Sequence, residues 1–275
     1  MDRMGIEPII SAVREQRLSI RLPALRYKNT IKEIKLMIIA ATGDLEELGT
    51  DLESLWDMIK KMKEPDLLLF AGDMYEYKTP EVYTLFLDFI KMSKWKCPII
   101  AVFGNSEFDE DRDEIIKICK KRITFLEDET IKLKIKNKKV GIVGTEGSLD
   151  IPTWWQWRNI PDIKKTYTKR IETIRNLLKG LKTDIRILLM HYAPTYKTLK
   201  GEDPRLYDVL GSRKYEKVLT ETKPDFVIHG HAHYGIPLAF VDSIPVFNVA
   251  ISINKKIVEI NPKKLPKSGL HKFVR

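Results

Sequence analysis

Two kinds of apolar pattern alternate along the chain. The first is a short, nearly unbroken apolar run, seen at Ile34–Ala41, Leu67–Ala71, Pro98–Phe103, Val140–Val143, Asp184–Met190 and Phe226–Ile228. Runs of this length with no polar alternation predict strands covered on both faces. The second repeats every three or four residues and predicts one buried face of a helix. Leu45, Leu48, Leu52, Leu55, Ile59 and Met62 share such a face. So do Val82, Leu85, Phe86, Phe89 and Ile90 within residues 79–95, and Tyr167, Ile171, Ile174, Leu178 and Leu181. Ile115, Ile116 and Cys119 mark a further helix. Strand and helix in turn indicate an α/β domain. Ile131–Lys136 alternates apolar residues with lysines, as an edge strand does, and Pro237–Ile253 reads as two final strands.

The two ends lack this organisation. In residues 1–34, Ile9, Ile10 and Val13 suit a short helix, and Leu18, Ile20 and Leu22 alternate like a strand. This reads as an N-terminal extension that covers a sheet edge or mediates assembly. Residues 261–275 form a basic tail rich in lysine and proline, expected to be partly mobile. No apolar run reaches the roughly 18 residues of a membrane helix, and no secretory signal pattern opens the chain. With Cys97 and Cys119 read as buried free thiols, a cytoplasmic protein without a membrane partner is expected. The formal net charge of +10 and pI of about 9.3 create a field that favours phosphates, nucleotides or nucleic acid.

Candidate chemistry sits where the apolar runs end. Phe226–Ile228 passes through His229 into Gly230-His231-Ala232-His233. On a continuing strand His231 and His233 share a face, and neutral imidazole is a common metal ligand. His229 lies one pleat earlier and is expected to donate to a ligand rather than to be one. An isolated pair of this kind suits surface histidines equally well, but three other strand ends carry matching groups. Leu67–Ala71 ends in Gly72-Asp73, Pro98–Phe103 in Gly104-Asn105-Ser106-Glu107, and Asp184–Met190 in His191. Alone, Asp73 suits a helix N-cap and His191 a core position. Their combination points to one site.

Gly-Asp, Gly-Asn, a lone His and Gly-His-Ala-His, in that order, resemble the calcineurin-like metallophosphoesterases over roughly residues 35–260. The resemblance implies a four-layer α-β-β-α sandwich of two mixed sheets flanked by helices. It implies a metal set of Asp73, Asn105, His191, His231 and His233, with Asp73 bridging two ions and Asp73, Asn105 and His191 serving catalysis. Mixed nitrogen and oxygen ligands suit manganese, iron, zinc, cobalt or nickel, manganese first, at one or two ions per chain. The implied activity is hydrolysis of a phosphomonoester or phosphodiester, on a phosphorylated small molecule or nucleotide, through a metal-bound hydroxide.

The chain also departs from the family pattern. The family's first motif, Asp-x-His, belongs at the end of the first strand, where Ala40 and Thr42 stand instead. Ser106 replaces the histidine of Gly-Asn-His and cannot act as an acid near neutral pH. One metal position is therefore expected to be complete and the other half empty, with Asp44 the first suspect for a replacement. Each lost charged stabiliser costs on the order of 10²–10³ in rate, so weak activity is expected. The competing reading is a non-catalytic single-metal protein that binds phosphate or a nucleotide on the same fold. A nuclease, suggested by charge alone, ranks last.

Other features stay open. Glu107, with no imidazole to orient, is expected to serve a helix start. Trp154, Trp155 and Trp157 suit a packed lid, a subunit contact or a substrate platform with Arg158 beside it. Lys197, Lys200, Arg205 and Arg213 in the polar loop 195–213 are phosphate-binding candidates. Homo-oligomerisation is left open.

Overall fold

The computed structural model describes residues 36–48, 52–74, 80–120 and 122–268, within a unit spanning Leu36–Arg275. The expected N-terminal extension lies outside the described residues, as does the tail beyond Ser268.

Two sheets account for the strands. In the first, β1 (Ile39–Thr42), β2 (Leu67–Phe70), β3 (Ile99–Ala101) and β4 (Ile123–Phe125) run parallel. Helices α1 (Leu52–Lys61), α2 (Val82–Met92) and α3 (Asp109–Cys119) connect them, and β11 (Val258–Ile260) joins β1 antiparallel at the edge. The second sheet holds β5 (Glu129–Ile135), β6 (Lys138–Thr145), β7 (Ile185–Met190), β8 (Phe226–His229), β9 (Leu238–Val241) and β10 (Ile244–Asn248). Its order is β5-β6-β7-β8-β10-β9, so the lysine-alternating strand lies at an edge. Between β6 and β7 come α4 (Trp154–Asn159) and α5 (Ile163–Gly180); between β7 and β8 come α6 (Tyr207–Leu210) and α7 (Lys214–Thr222).

The period of two along each strand sorts its side chains into layers. Ile39, Ala41, Leu67, Leu69 and Ile100 face inward and meet Ile142, Ile187, Leu189, Phe226 and Ile228 of the other sheet. The intervening Ala40, Leu68, Phe70 and Ile99 face outward onto Leu55, Ile59, Phe86, Ile90 and Ile115 of α1–α3. Leu188, Met190 and Val227 do the same against Ile171, Ile174, Leu178, Val218 and Leu219 of α5 and α7. The result is the α-β-β-α sandwich, with both sheets buried on two faces as the unbroken apolar runs require.

Four local expectations change. The helix read from Leu45 to Met62 is split into a 3-10 turn, Leu45–Leu48, and α1. The buried face of α2 is Tyr83, Phe86 and Ile90, while Leu85 is 41% exposed, because Tyr83 turns inward to a hydrogen-bond partner. Ile251–Ile253 belongs to a helical turn, α8 (Ile251–Asn254), after Asn248 accepts the Ala250 N–H and bends the chain. Loop 195–213 is not featureless: Thr195 and Asp203 cap 3-10 turns at Tyr196–Leu199 and Pro204–Leu206. No helix among the described residues is long and apolar enough to cross a membrane.

The layering sets an expected contrast in stability. Leu69→Ala removes side-chain volume between the two sheets and should cost about 2–5 kcal/mol, whereas Leu85→Ala should stay within about 0.5 kcal/mol of the parent. Urea unfolding of both variants measures this; equal losses would mean that the assignment of faces is wrong.

Candidate metal centre

β1, β2, β3, β7 and β8 deliver their C-terminal ends to one place, the region where open α/β sheets bind ligands. Close backbone approach makes this possible. Gly72 has φ +86°, and a Cβ there would lie 2.6 Å from the Gly104 nitrogen and 2.8 Å from Nδ1 of His191. Asp44, Asp73 and His231 also take positive φ values of 58°, 51° and 67°. Left-handed backbone at non-glycine residues commonly costs about 1–3 kcal/mol and persists where its surroundings enforce it.

Glu107 is the enforcing residue. Its buried carboxylate accepts the backbone N–H of Asp73 at 2.8 Å, of Met74 at 2.7 Å and of Gly104 at 2.7 Å, and the Tyr83 hydroxyl at 3.0 Å. Burial and then the charge of Asp73 push its pKa up to about 7, against the pull of those backbone donors. It does not serve a helix start, as the sequence suggested; α3 begins later, at Asp109. It ties the loop after β2 to the loop after β3.

Four side chains meet above this clamp. Nε2 of His191 lies 3.3 Å from Oδ2 of Asp73, 3.0 Å from Oδ1 of Asn105 and 3.1 Å from Nδ1 of His231. Nδ1 of His191 is 2.8 Å from the Ala71 carbonyl, a contact that holds its proton and turns Nε2 toward the cluster. Burial opposes a charge on His191, but the charge and hydrogen bond of Asp73 outweigh it and lift the pKa to about 10. Burial, then the neighbouring His191, holds His231 well below its ordinary range. Only one proton fits between the two nitrogens, so it cannot satisfy every acceptor atom facing it. A divalent cation can. Donor atoms around one ion at roughly 2.1 Å stand about 3.0–3.4 Å apart, the range in which the other three donors stand from His191 Nε2.

A second group lies beside the first. Donor atoms of Glu46, Glu47 and His233 lie within 4.8 Å of one another. Nδ1 of His233 is 2.7 Å from Oε1 of Glu47, and its Nε2 is 3.1 Å from Oδ1 of Asp44. Burial opposes a charge on His233 too, yet its hydrogen bond to Asp44 raises it to about 9. Asp44 is fully buried, and burial raises its pKa; Oδ1 also takes the His231 N–H at 2.8 Å.

The structure thus gathers Asp73, Asn105, His191 and His231 and sets His233 apart. The strand does not continue through the motif: β8 stops at His229, so His231 and His233 are loop residues and their rings diverge. His229 is buried, with Nδ1 on the Gly230 carbonyl and no partner at Nε2, outside both groups. Among the candidate phosphate binders, Lys197 donates to the Phe240 carbonyl, Arg205 pairs with Asp203 and Arg213 lies over Tyr196. The tryptophans are not a packed lid: Trp154, Trp155 and Trp157 are 72%, 50% and 51% exposed. Trp155 stands edge-on to Phe108, and Gln156 beside it donates to the hydroxyl of Tyr192, next to His191. Sequence reasoning passed over Glu46 and Glu47 because an acidic first helical turn is ordinary.

Comparison with known proteins bears on the family and the fold. The family model described as calcineurin-like phosphoesterase matches residues 37–235. Phosphopantetheinyl hydrolase from Mycobacterium tuberculosis superposes with a TM-score of 0.63 at 16% identity, covering 84% of this chain and 99% of its own. The protein TT1561 of Thermus thermophilus gives 0.55 at 14% identity, covering 82% and 99%. No curated protein matches the sequence.

The clamp can be tested without any metal. Glu107→Gln turns an NH2 group toward at least one buried N–H donor, so it should cost roughly 1–3 kcal/mol in urea unfolding. A variant as stable as the parent would show that Glu107 does not hold the strand ends together.

Proposed function

Because the chain belongs to the calcineurin-like phosphoesterases, we propose that it hydrolyses a phosphate ester of a small molecule or nucleotide with a divalent metal, manganese first. The observation that carries this reading is the convergence of Asp73, Asn105, His191 and His231 within about hydrogen-bond distance of one nitrogen. These four residues would hold the ion, which supplies Lewis acidity at the phosphoryl group and acidifies water.

The protein's own groups set the rest. Asp73 contributes charge, and its Oδ1 is fixed by the Ser106 N–H at 2.8 Å. Asn105 brings a neutral oxygen from an exposed loop, where a substrate can reach it. His231 stays neutral and presents a lone pair, while His191, its Nδ1 held by Ala71, would offer Nε2 once a cation displaces the proton that Asp73 favours there. Ser106 gives its hydroxyl proton to Glu46 rather than to a leaving group, which favours esters whose leaving group needs no acid. Trp155 offers a ring face to the planar part of a substrate, beside the loop that carries Asn105.

With manganese and an activated aryl phosphodiester, the parent should turn over, and Asp73→Ala or His191→Ala should lower the rate at least about 10²-fold. Absent turnover in the parent, together with a nucleotide-dependent rise in Tm, would replace this reading with that of a non-catalytic binding protein.

A further inference from the structure

The losses at the family's first motif and the gains in the turn after β1 lie on the same side of the centre. Ala40 and Thr42 stand where that motif has its two ligands. Thr42 Oγ1 and Asp44 Oδ2 are both buried there with no hydrogen-bond partner. Past them the chain enters the 3-10 turn Leu45–Leu48, which points Glu46 and Glu47 toward His233. Glu46 reaches across to the third departure from the family, accepting from Ser106 Oγ at 2.5 Å.

The charges in this corner do not balance. Asp44, Glu46, Glu47 and Asp73 have no lysine or arginine ion-pair partner among the described residues; their charged partners are His191 and His233. Asp44 and Asp73 are buried, and carboxylates out of water require compensation from a cation or from donors. Asp44 presses on the same imidazole that Glu47 touches from its other nitrogen.

We propose that Glu46 and Glu47 of the turn, with His233, hold a second divalent cation, replacing from outside the strand what Ala40 and Thr42 no longer supply. Asp44 is the positioning residue: it fixes the His233 ring and the backbone of His231 at once. The assignment rests on the metal-dependent reading above and adds to it a rebuilt binuclear centre.

Metal binding itself is the test, on the full chain after chelation and dialysis, with manganese titrated calorimetrically and bound metal measured by elemental analysis. The parent should take two ions per chain, and the Glu46→Gln/Glu47→Gln double variant one. Glu47→Gln alone, at an exposed side chain that folding does not need, should weaken one of the two sites at least about tenfold. His231→Ala should lose the other ion and keep this one. Two undiminished ions in the double variant, or a single ion in both parent and double variant, would overturn the proposal and leave the metal-dependent reading intact. A parent that binds no manganese would overturn both.

Discussion

The carboxylate of Glu107 is the constraint on which the centre depends. Asp73 and Asn105 come from different strands, and nothing in sheet pairing fixes the loops that follow those strands. Glu107 fixes both by taking one N–H from the second loop and two from the first. It does so inside the domain, where an unmade hydrogen bond has no water to fall back on. That makes the arrangement stiff enough to hold Asp73 at positive φ, with its side chain against His191. The Tyr83 hydroxyl joins the same carboxylate, so α2 is locked to the site by the residue that sets its buried face.

Once the strand ends are pinned, electrostatics governs what the site can be. It concentrates acidic groups in a chain whose formal charge is +10. The surface field draws anions toward the protein, but Asp44, Glu46, Glu47 and Asp73 would repel a phosphate that arrived at the centre itself. These tendencies are compatible only if cations bind first and reverse the local sign. On the proposed reading, metal loading therefore precedes substrate, and the positive field assists only the loaded protein.

Much of this was legible in the sequence, for reasons that differ by element. Buried strands announce themselves because both faces must be apolar, so β2 and β7 were readable within a residue or two. The strand ends that carry Asp73 and Asn105 were readable because glycine must precede both residues for backbones to approach so closely. The misread parts depend on long-range partners. Tyr83 was left off the buried face of its helix because its acceptor, Glu107, lies in another segment, and Glu107 looked like a helix-start acid because its Asp73 and Met74 donors lie more than thirty residues away. His231 and His233 were placed on one strand face, and no local signal shows that β8 ends at His229. The N–H that terminates the pattern, on His231, goes to Asp44 from the far end of the chain.

The departures from the family pattern form one arrangement when taken in space. Ala40, Thr42 and Ser106 stand where the resemblance to the family placed two ligands and one acid, and the space beside them is not neutral. Asp44 is fully buried with one oxygen on His231 and His233 and the other unpartnered, and Glu46 extends into hydrogen-bond contact with Ser106. Burying a carboxylate that is only partly compensated typically costs several kcal/mol, a large share of a domain's net stability of about 5–15 kcal/mol. A cation that binds the folded state and not the unfolded one offsets that cost in proportion to RT ln(1 + [L]/Kd). Folding and metal loading are then coupled through the same carboxylates. In that coupling Asp44, which fixes the His233 ring, ties the buried charge at the end of β1 to the Glu46 and Glu47 carboxylates that a bound ion would bring together.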